Sequence, residues 1–421
     1  MERFFVGPSG PLSGRIEVFG AKNSVLKLMA ATLLAPGRHE IGNVPAITDV
    51  AIVRELLGAM GVESLHSGGG TSGHLTLTVP NEVIPVAPYE MVEKIRASIV
   101  VLGPLLARYG SARVSLPGGD DFGHRPIDMH LHALEELGVV FTTEHGYVEG
   151  RCDRLVGARV VFEFPSHTAT DNILMAAVLA KGTTVIENAA REPEVIDLAD
   201  MLTGMGAHIE GAGTSRIEIE GVEELRPASH VAIPDRVEAA TWLAAVGLAG
   251  GEIELLHARA DHMEMLLEKL AEMGVHCVDT GSGILATATH PLRSVDISTL
   301  PYPGVATDYK PFLVTMLSIA SGVAIVTENI FAGRFRYVDE LRRMGADITT
   351  KGHHAVVRGV PRLSGAPVRS PDIRAGAALV LAGLVADGAT EVSGAEHIDR
   401  GYENLAGRLS ALGADVRRVN E

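Results

Sequence analysis

Cysteine is almost absent from this chain, and that is the first constraint. Cys152 and Cys277 are too few for a disulfide framework and suit a reducing compartment. Long apolar runs are missing too: Ser98 to Leu106 and Ala375 to Ala386 are the most apolar stretches, both well short of the roughly 20 residues that span a bilayer. The opening MERFFVGPSG lacks the apolar core of a signal peptide. Positive charge is in deficit, with 36 Lys and Arg against 52 Asp and Glu and a formal net charge of −16. Such a field repels nucleic acid and anionic membrane, so any anionic ligand must be met by a local basic cluster. The 17 histidines include no HExxH and no Cys/His spacing suited to zinc. These absences predict a cytoplasmic protein with no nucleic-acid, membrane or metal partner, and 421 residues predict two domains.

What the chain does have is internal repetition. A pattern Leu-x-x-Met/Leu-Gly-Ala/Val recurs at Leu57 to Val62, Leu134 to Val139, Leu202 to Ala207, Leu270 to Val275, Leu341 to Ala346 and Leu409 to Ala414. Its glycines, Gly61, Gly138, Gly206, Gly274, Gly345 and Gly413, are spaced 77, 68, 68, 71 and 68 residues apart. Each sits where a helix should end in a left-handed residue. About two dozen residues earlier, Gly37, Gly110, Gly182, Gly251, Gly322 and Gly388 each close an apolar helical run. The resulting unit is helix, strand, helix, strand, hairpin, strand, about 70 residues long and repeated six times. Three copies per domain give two similar halves that cross over near Pro234. Gly68 to Gly70, Gly211 with Gly213, and Gly281 with Gly283 fall in the hairpin slot, so they read as turns and not as nucleotide loops. His353 and His354 share that slot.

Aligning the copies on their first helix shows what stands at each start: Lys22-Asn23-Ser24, Arg96-Ala97-Ser98, Ser166-His167-Thr168, Asp235-Arg236-Val237-Glu238, Thr307-Asp308-Tyr309-Lys310 and Asp372-Ile373-Arg374. Ser, Thr and Asp are ordinary caps. Lys and Arg in a first turn oppose the helix dipole. Their recurrence has two readings: basic side chains and helix ends bind anions together, or each cation pairs with a neighbouring carboxylate. Later loops add Asp120, Asp121, Arg125 and Asp128 in LPGGDDFGHRPIDMHLH, Arg334 and Arg336 in ENIFAGRFRYV, and His397, Asp399 and Arg400 in EHIDRGYE. A pseudo-threefold packing would gather these loops at one end of each domain. A cleft between two such ends would collect Lys22, Arg96, Arg125, Arg236, Arg334, Arg374 and Arg400 around Asp120, Asp308 and Asp372, a set suited to two polyanionic reactants.

Lys22-Asn23, KIRAS, PGGxxxGxRPID, GTTVIENAAREPEVIDLA, the Asp308 segment, FxxRF, PDIRA and HIDRGYE together resemble the UDP-N-acetylglucosamine 1-carboxyvinyltransferase family of the EPSP synthase-like enolpyruvyl transferases. The likeness runs in matching order from about Lys22 to the C-terminus. It implies an α/β fold, a two-domain inside-out α/β barrel, with residues 22–234 as one domain and 1–21 plus 235–421 as the other, and a mobile catalytic loop at about 116–125. It implies transfer of enolpyruvyl from phosphoenolpyruvate to the sugar 3-hydroxyl of UDP-N-acetylglucosamine, with release of phosphate and no cofactor, by a monomer or weak homo-oligomer. By matching position, Lys22, Asn23, Arg125, Arg374 and Arg400 would meet phosphoenolpyruvate. Arg96, Arg125, Pro126, Ile127, Asp128, Met129, Ser166, His167 and Ile330 would contact the sugar nucleotide. Arg334 and Asp372 belong to the same binding set, Asp308 would be the base, and Asp120 would be the proton donor.

The sequence departs from the family twice. Asp120 stands where most members carry a cysteine that fosfomycin alkylates, which predicts insensitivity to that epoxide. His167 and Thr168 replace small apolar and glycine residues beside the expected uridine-diphosphate position, which leaves two readings open, loop drift or a different nucleotide acceptor; loss of the cysteine at position 120 leaves a third, a sugar-nucleotide-binding protein without turnover.

Overall fold

The computed structural model describes residues 2–93, 96–115, 127–331 and 333–420. They form two compact units, one of 20–233 and one that joins 2–19 to 234–420, called the split unit below.

Each unit is an inside-out barrel, helices within and sheets without. In the 20–233 unit the inner helices include Lys22–Ala31, Leu102–Tyr109 and His167–Ala177. In the split unit Arg236–Ala249, Lys310–Leu317 and Ile373–Leu384 pack on one another. These helices are apolar nearly all round, as a helix without a solvent face must be: Arg236 through Leu248 and the whole of Ile373–Leu384 are buried. Alanine and glycine recur along them and let the backbones approach. Gly103 is the clearest case, since a Cβ there would stand 2.3 Å from the Asn172 carbonyl oxygen.

Around each trio lie three four-stranded sheets of one design. Within a copy, the strand after the first helix pairs antiparallel with the second hairpin strand, as Gly37–Gly42 does with His74–Val79. Leu75, Leu77 and Val79 point inward while His74, Thr76 and Thr78 point outward, the alternation of a half-buried strand. The fourth strand is parallel and comes from the preceding copy: Val86–Ala87 joins Ser111–Ser115, and Arg159–Val161 joins Thr183–Glu187. Ser229–Val231 then closes the cycle on Gly37–Gly42, with His230 opposite Ile41.

The twelve punctuating glycines all lie at positive φ, from 67° at Gly110 to 119° at Gly37. The repeat therefore has the backbone reason expected of it. Two details differ from the sequence reading. The second copy enters its inner helix through a 3-10 turn, Arg96–Val101, before Leu102–Tyr109; Pro104 has no N–H for a longer α-helical ladder and is accommodated in a first turn. The sixth copy does not complete itself. After Gly413 it supplies Val416–Asn420 alone, and the N-terminal segment provides the rest. Glu2–Val6 lies between Thr390–Ser393 and Val416–Asn420, antiparallel to both, and Leu12–Glu17 becomes the parallel strand beside Gly251–Leu256.

Candidate active site

In the split unit, the starts of all three inner helices carry charge. Asp235 caps the first, accepting from the backbone N–H groups of Val237 and Glu238 at 2.7 and 3.0 Å. Asp372 caps the third, accepting from Arg374 and Ala375 N–H at 3.0 Å each. Asp308 lies just ahead of the second, half-buried and clasped by two guanidiniums: Arg334 Nη1 reaches Oδ1 at 2.6 Å and Arg374 Nε stands 3.6 Å from Oδ2. Arg334 also donates to Thr307 Oγ1 at 3.1 Å.

Both arginines are almost fully buried, at 3 % and 2 % exposure, where an uncompensated charge would be costly. For Arg374, burial works against the charge, and Tyr402, Asp235 and Asp308 more than offset it, holding its pKa above the usual range. Arg334 is raised as well; there burial is outweighed by Asp308 and Asp372. Arg374 lies over the Tyr402 ring, and the Tyr402 hydroxyl is 2.7 Å from Thr241 Oγ1. Its Nη1 is buried and has no hydrogen-bond partner among the described residues, a donor left over for an acceptor. Arg236 donates to the Tyr309 hydroxyl at 3.1 Å. Ile330 is half-buried in the loop that carries Arg334, its N–H donating to Glu328 Oε1 at 2.8 Å. Arg400 follows the short helix Ala395–Asp399, which packs on Ile373–Leu384.

In the 20–233 unit, Lys22 opens its helix and pairs with the fully buried Asp49 at 2.7 Å; Asn23 beside it is half-buried. Ser166 caps the helix His167–Ala177, accepting from Ala169 N–H at 3.4 Å. His167, its first residue, stands over a buried cluster: Nε2 lies 3.1 Å from Lys27 Nζ and 3.4 Å from Asp171 Oδ2, and Lys27 is 3.3 Å from the same oxygen. Burial raises the Asp171 pKa to about 7, with Lys27 opposing and Glu192 and Glu194 adding to the rise.

The other departure, Thr168, is also tied down. The Asn172 side-chain oxygen accepts from Gly103 N–H at 2.6 Å, so its amide nitrogen donates, to the Ile99 carbonyl at 3.1 Å and to His130 Nδ1 at 3.0 Å. That assigns the His130 proton to Nε2, which donates to Thr168 Oγ1 at 3.3 Å. Ile127 and Met129 are half-buried where the helix Asp128–Glu136 begins, and Asp128 is its first residue. Arg96 opens its 3-10 turn, with its side chain outside the described part; Asp120, Arg125 and Pro126 lie outside the described residues.

The residues read from sequence thus fall into two groups. Asp308, Arg334, Arg374 and Asp372 converge at helix starts in the split unit. Lys22, Asn23, Ser166 and His167 stand at helix starts in the other, with Ile127 to Met129 leading a helix packed on His167–Ala177. Of the two readings of the basic residues, carboxylate pairing is what Lys22, Arg334 and Arg374 display. Their supports were not read from sequence: Asp49, Tyr402, Thr241, Glu328 and Lys310. Tyr402 lies within the quoted HIDRGYE, Glu328 within ENIFAGRFRYV and Lys310 beside Asp308, but none of these motifs signals the supporting role.

A family described as EPSP synthase (3-phosphoshikimate 1-carboxyvinyltransferase) matches residues 6–409. The chain belongs to that family. Among curated EPSP synthase-family relatives, the UDP-N-acetylglucosamine 1-carboxyvinyltransferase of Nocardia farcinica is 50% identical over 420 residues, 99% of each chain. The enzyme of the same name from Desulfovibrio desulfuricans is 47% identical over the full length of both. The enolpyruvyl transferase NikO from Streptomyces tendae superposes with a TM-score of 0.88 at 27% identity, covering 99% of this chain and 98% of its own. EPSP synthase from Acinetobacter baumannii, at 18% identity and a TM-score of 0.75 over the whole of both chains, shares the EPSP synthase-family fold.

Proposed function

We propose that the chain transfers the enolpyruvyl group of phosphoenolpyruvate to the 3-hydroxyl of UDP-N-acetylglucosamine, releasing phosphate, as the first committed step of peptidoglycan biosynthesis. The observation that carries this reading is the Asp308 clasp. A carboxylate at a helix start, half-buried and oriented by Arg334 and Arg374, suits a base that takes the proton of an attacking hydroxyl. The spare Arg374 Nη1 suits an anionic oxygen of the enolpyruvyl donor, and preset cations favour charge that develops during the reaction. The names of the relatives at 47–50% identity support the same acceptor.

In this reading Lys22, Asn23, Arg125 and Arg400 bind phosphoenolpyruvate with Arg374. Arg96, Pro126, Ile127, Asp128, Met129, Ser166, His167 and Ile330 bind the sugar nucleotide. Asp120 protonates C3. An ordinary aspartate ionises near pH 4, so turnover falls as pH rises if Asp120 must hold a proton. Fosfomycin leaves the enzyme active, and Asp120→Cys makes it sensitive; covalent labelling of the unsubstituted protein by fosfomycin would contradict this.

A second reading has one observation in its favour. His167 and Thr168, which replace the family's smaller residues, are built into hydrogen-bonded clusters with Lys27, Asp171 and His130, which favours a selected change of acceptor over drift. Phosphate release from phosphoenolpyruvate, run with UDP-N-acetylglucosamine, UMP, UDP-glucose and no acceptor, decides. Release that requires UDP-N-acetylglucosamine upholds the first reading, release with another acceptor alone moves the enzyme to the second, and no release rejects both.

A further inference from the structure

Lys310 has 0 % exposure and no part in the chemistry just described. Burying an ammonium is expensive, and an apolar pair of similar volume often stabilises a fold as well as a buried ion pair does. Its contacts show what it adds. The ammonium donates to Glu328 Oε2 at 2.8 Å and to the backbone carbonyl of Arg334 at 2.5 Å, and lies 3.8 Å from the centre of the Phe335 ring. Glu328 Oε2 also accepts from Thr307 Oγ1 at 2.8 Å, while Oε1 accepts from Thr299 Oγ1 at 2.7 Å and from the N–H groups of Ile330 and Phe331 at 2.8 and 3.0 Å. The Arg334 side chain returns to Thr307 Oγ1 and continues to Asp308.

The contacts close on themselves: Lys310 to the Arg334 backbone, the Arg334 side chain to Thr307, Thr307 to Glu328, Glu328 to Lys310. Asp308 hangs from this ring through the guanidinium. We propose that Lys310 is a positioning residue for the transfer reaction: by fixing the Arg334 backbone and the Glu328 carboxylate, it sets where the Arg334 guanidinium holds Asp308. This rests on the reading of Asp308 as the base. An apolar replacement would fill the space and lose the direction, and a displacement of about 1 Å at a reacting group can cost about a hundredfold in rate.

The groups that face the ammonium are Glu328, Arg334 and Asp372, with Asp308 one step beyond. Burial draws the Lys310 pKa down to about 8, with Glu328 opposing. Above that pH Lys310 loses its charge, and the Arg334 guanidinium is the cation left in the ring.

The test compares wild type with Lys310→Met and with Lys310→Met/Glu328→Gln, the double variant removing the orphaned charge so that the protein folds. Phosphate release with UDP-N-acetylglucosamine and amide exchange over 328–335 are measured from pH 6 to 9. Both variants should lose about tenfold to a hundredfold in kcat with little change in acceptor KM, lack the wild-type decline near pH 8, and exchange about tenfold faster over 328–335 while Ile373–Leu384 stays protected. A double variant that recovers wild-type kcat and protection would overturn the proposal, because charge balance would then be the whole role. If wild type releases no phosphate with this acceptor, the function reading fails and the role in the transfer falls with it; exchange then tests only the contact on which it was built, faster exchange over 328–335 upholding the hold of Lys310 on the Arg334 segment and unchanged exchange rejecting it.

Discussion

A carboxyl group that shares its surroundings with a lysine would ordinarily be fully ionised at neutral pH, yet burial lifts Asp171 to about 7. The folded chain then binds more protons than the unfolded chain between the ordinary aspartate value, near 4, and about 7. The stability this contributes is present in full below the unfolded pKa and is lost as pH rises through the folded one. Asp171→Asn has no such dependence, so its Tm should gain on wild type from pH 5 to pH 8. Lys27, His167, Glu192 and Glu194 face the same group. A Tm difference that stays constant across that range would contradict the assignment. The sequence showed His167 as an intruder in a helix start but not its contact with Lys27, which comes from another helix and meets it only through packing.

At the scale of elements, the same contrast holds between local and tertiary causes. The twelve glycines were legible because a left-handed residue is a demand made by a few consecutive backbone bonds. The charged caps were legible for a similar reason: Asp235 and Asp372 bond to N–H groups two and three residues on. Glu328 and Lys310 were not, because their partner is each other across 18 residues of sequence and nothing in either residue's local pattern announces it. Gly103 belongs with this second kind. It sits inside a helix, where glycine costs about 1 kcal/mol relative to alanine, and its reason is the approach of Asn172 from His167–Ala177. Gly103→Ala should therefore destabilise the protein, by about 1 to 3 kcal/mol, against the direction that helix propensity predicts. Chemical denaturation measures this, and a stabilised variant would mean that the helices can separate at no cost.

At the scale of the whole molecule, the six copies are legible as a count but not as a circuit. The hydrophobic pattern shows each strand; it does not show that the strand closing one copy is hydrogen-bonded in the next, nor that the sixth copy is finished by the N-terminus. Removal of residues 2–6 should leave Thr390–Ser393 and Val416–Asn420 without the strand between them. The chain's single tryptophan, Trp242, lies fully buried in the split unit and reports on that unit. Truncation should lower the denaturation midpoint seen by Trp242 fluorescence and leave a calorimetric transition belonging to 20–233 in place. Unchanged Trp242 unfolding would show that the strand is dispensable.

That borrowed strand also has a history in time. Residues 20–233 hold every strand of their own three sheets, so they can close as soon as Ser229–Val231 is available to pair with Gly37–Gly42. Glu2–Val6 is translated before all of them and must wait for partners that begin at Thr390 and end at Asn420. At about 5 to 20 residues per second, that wait is on the order of 20 to 80 s. For that interval Glu2–Val6 lacks the strands on both its sides, while residues 20–233 already hold all that their own sheets need.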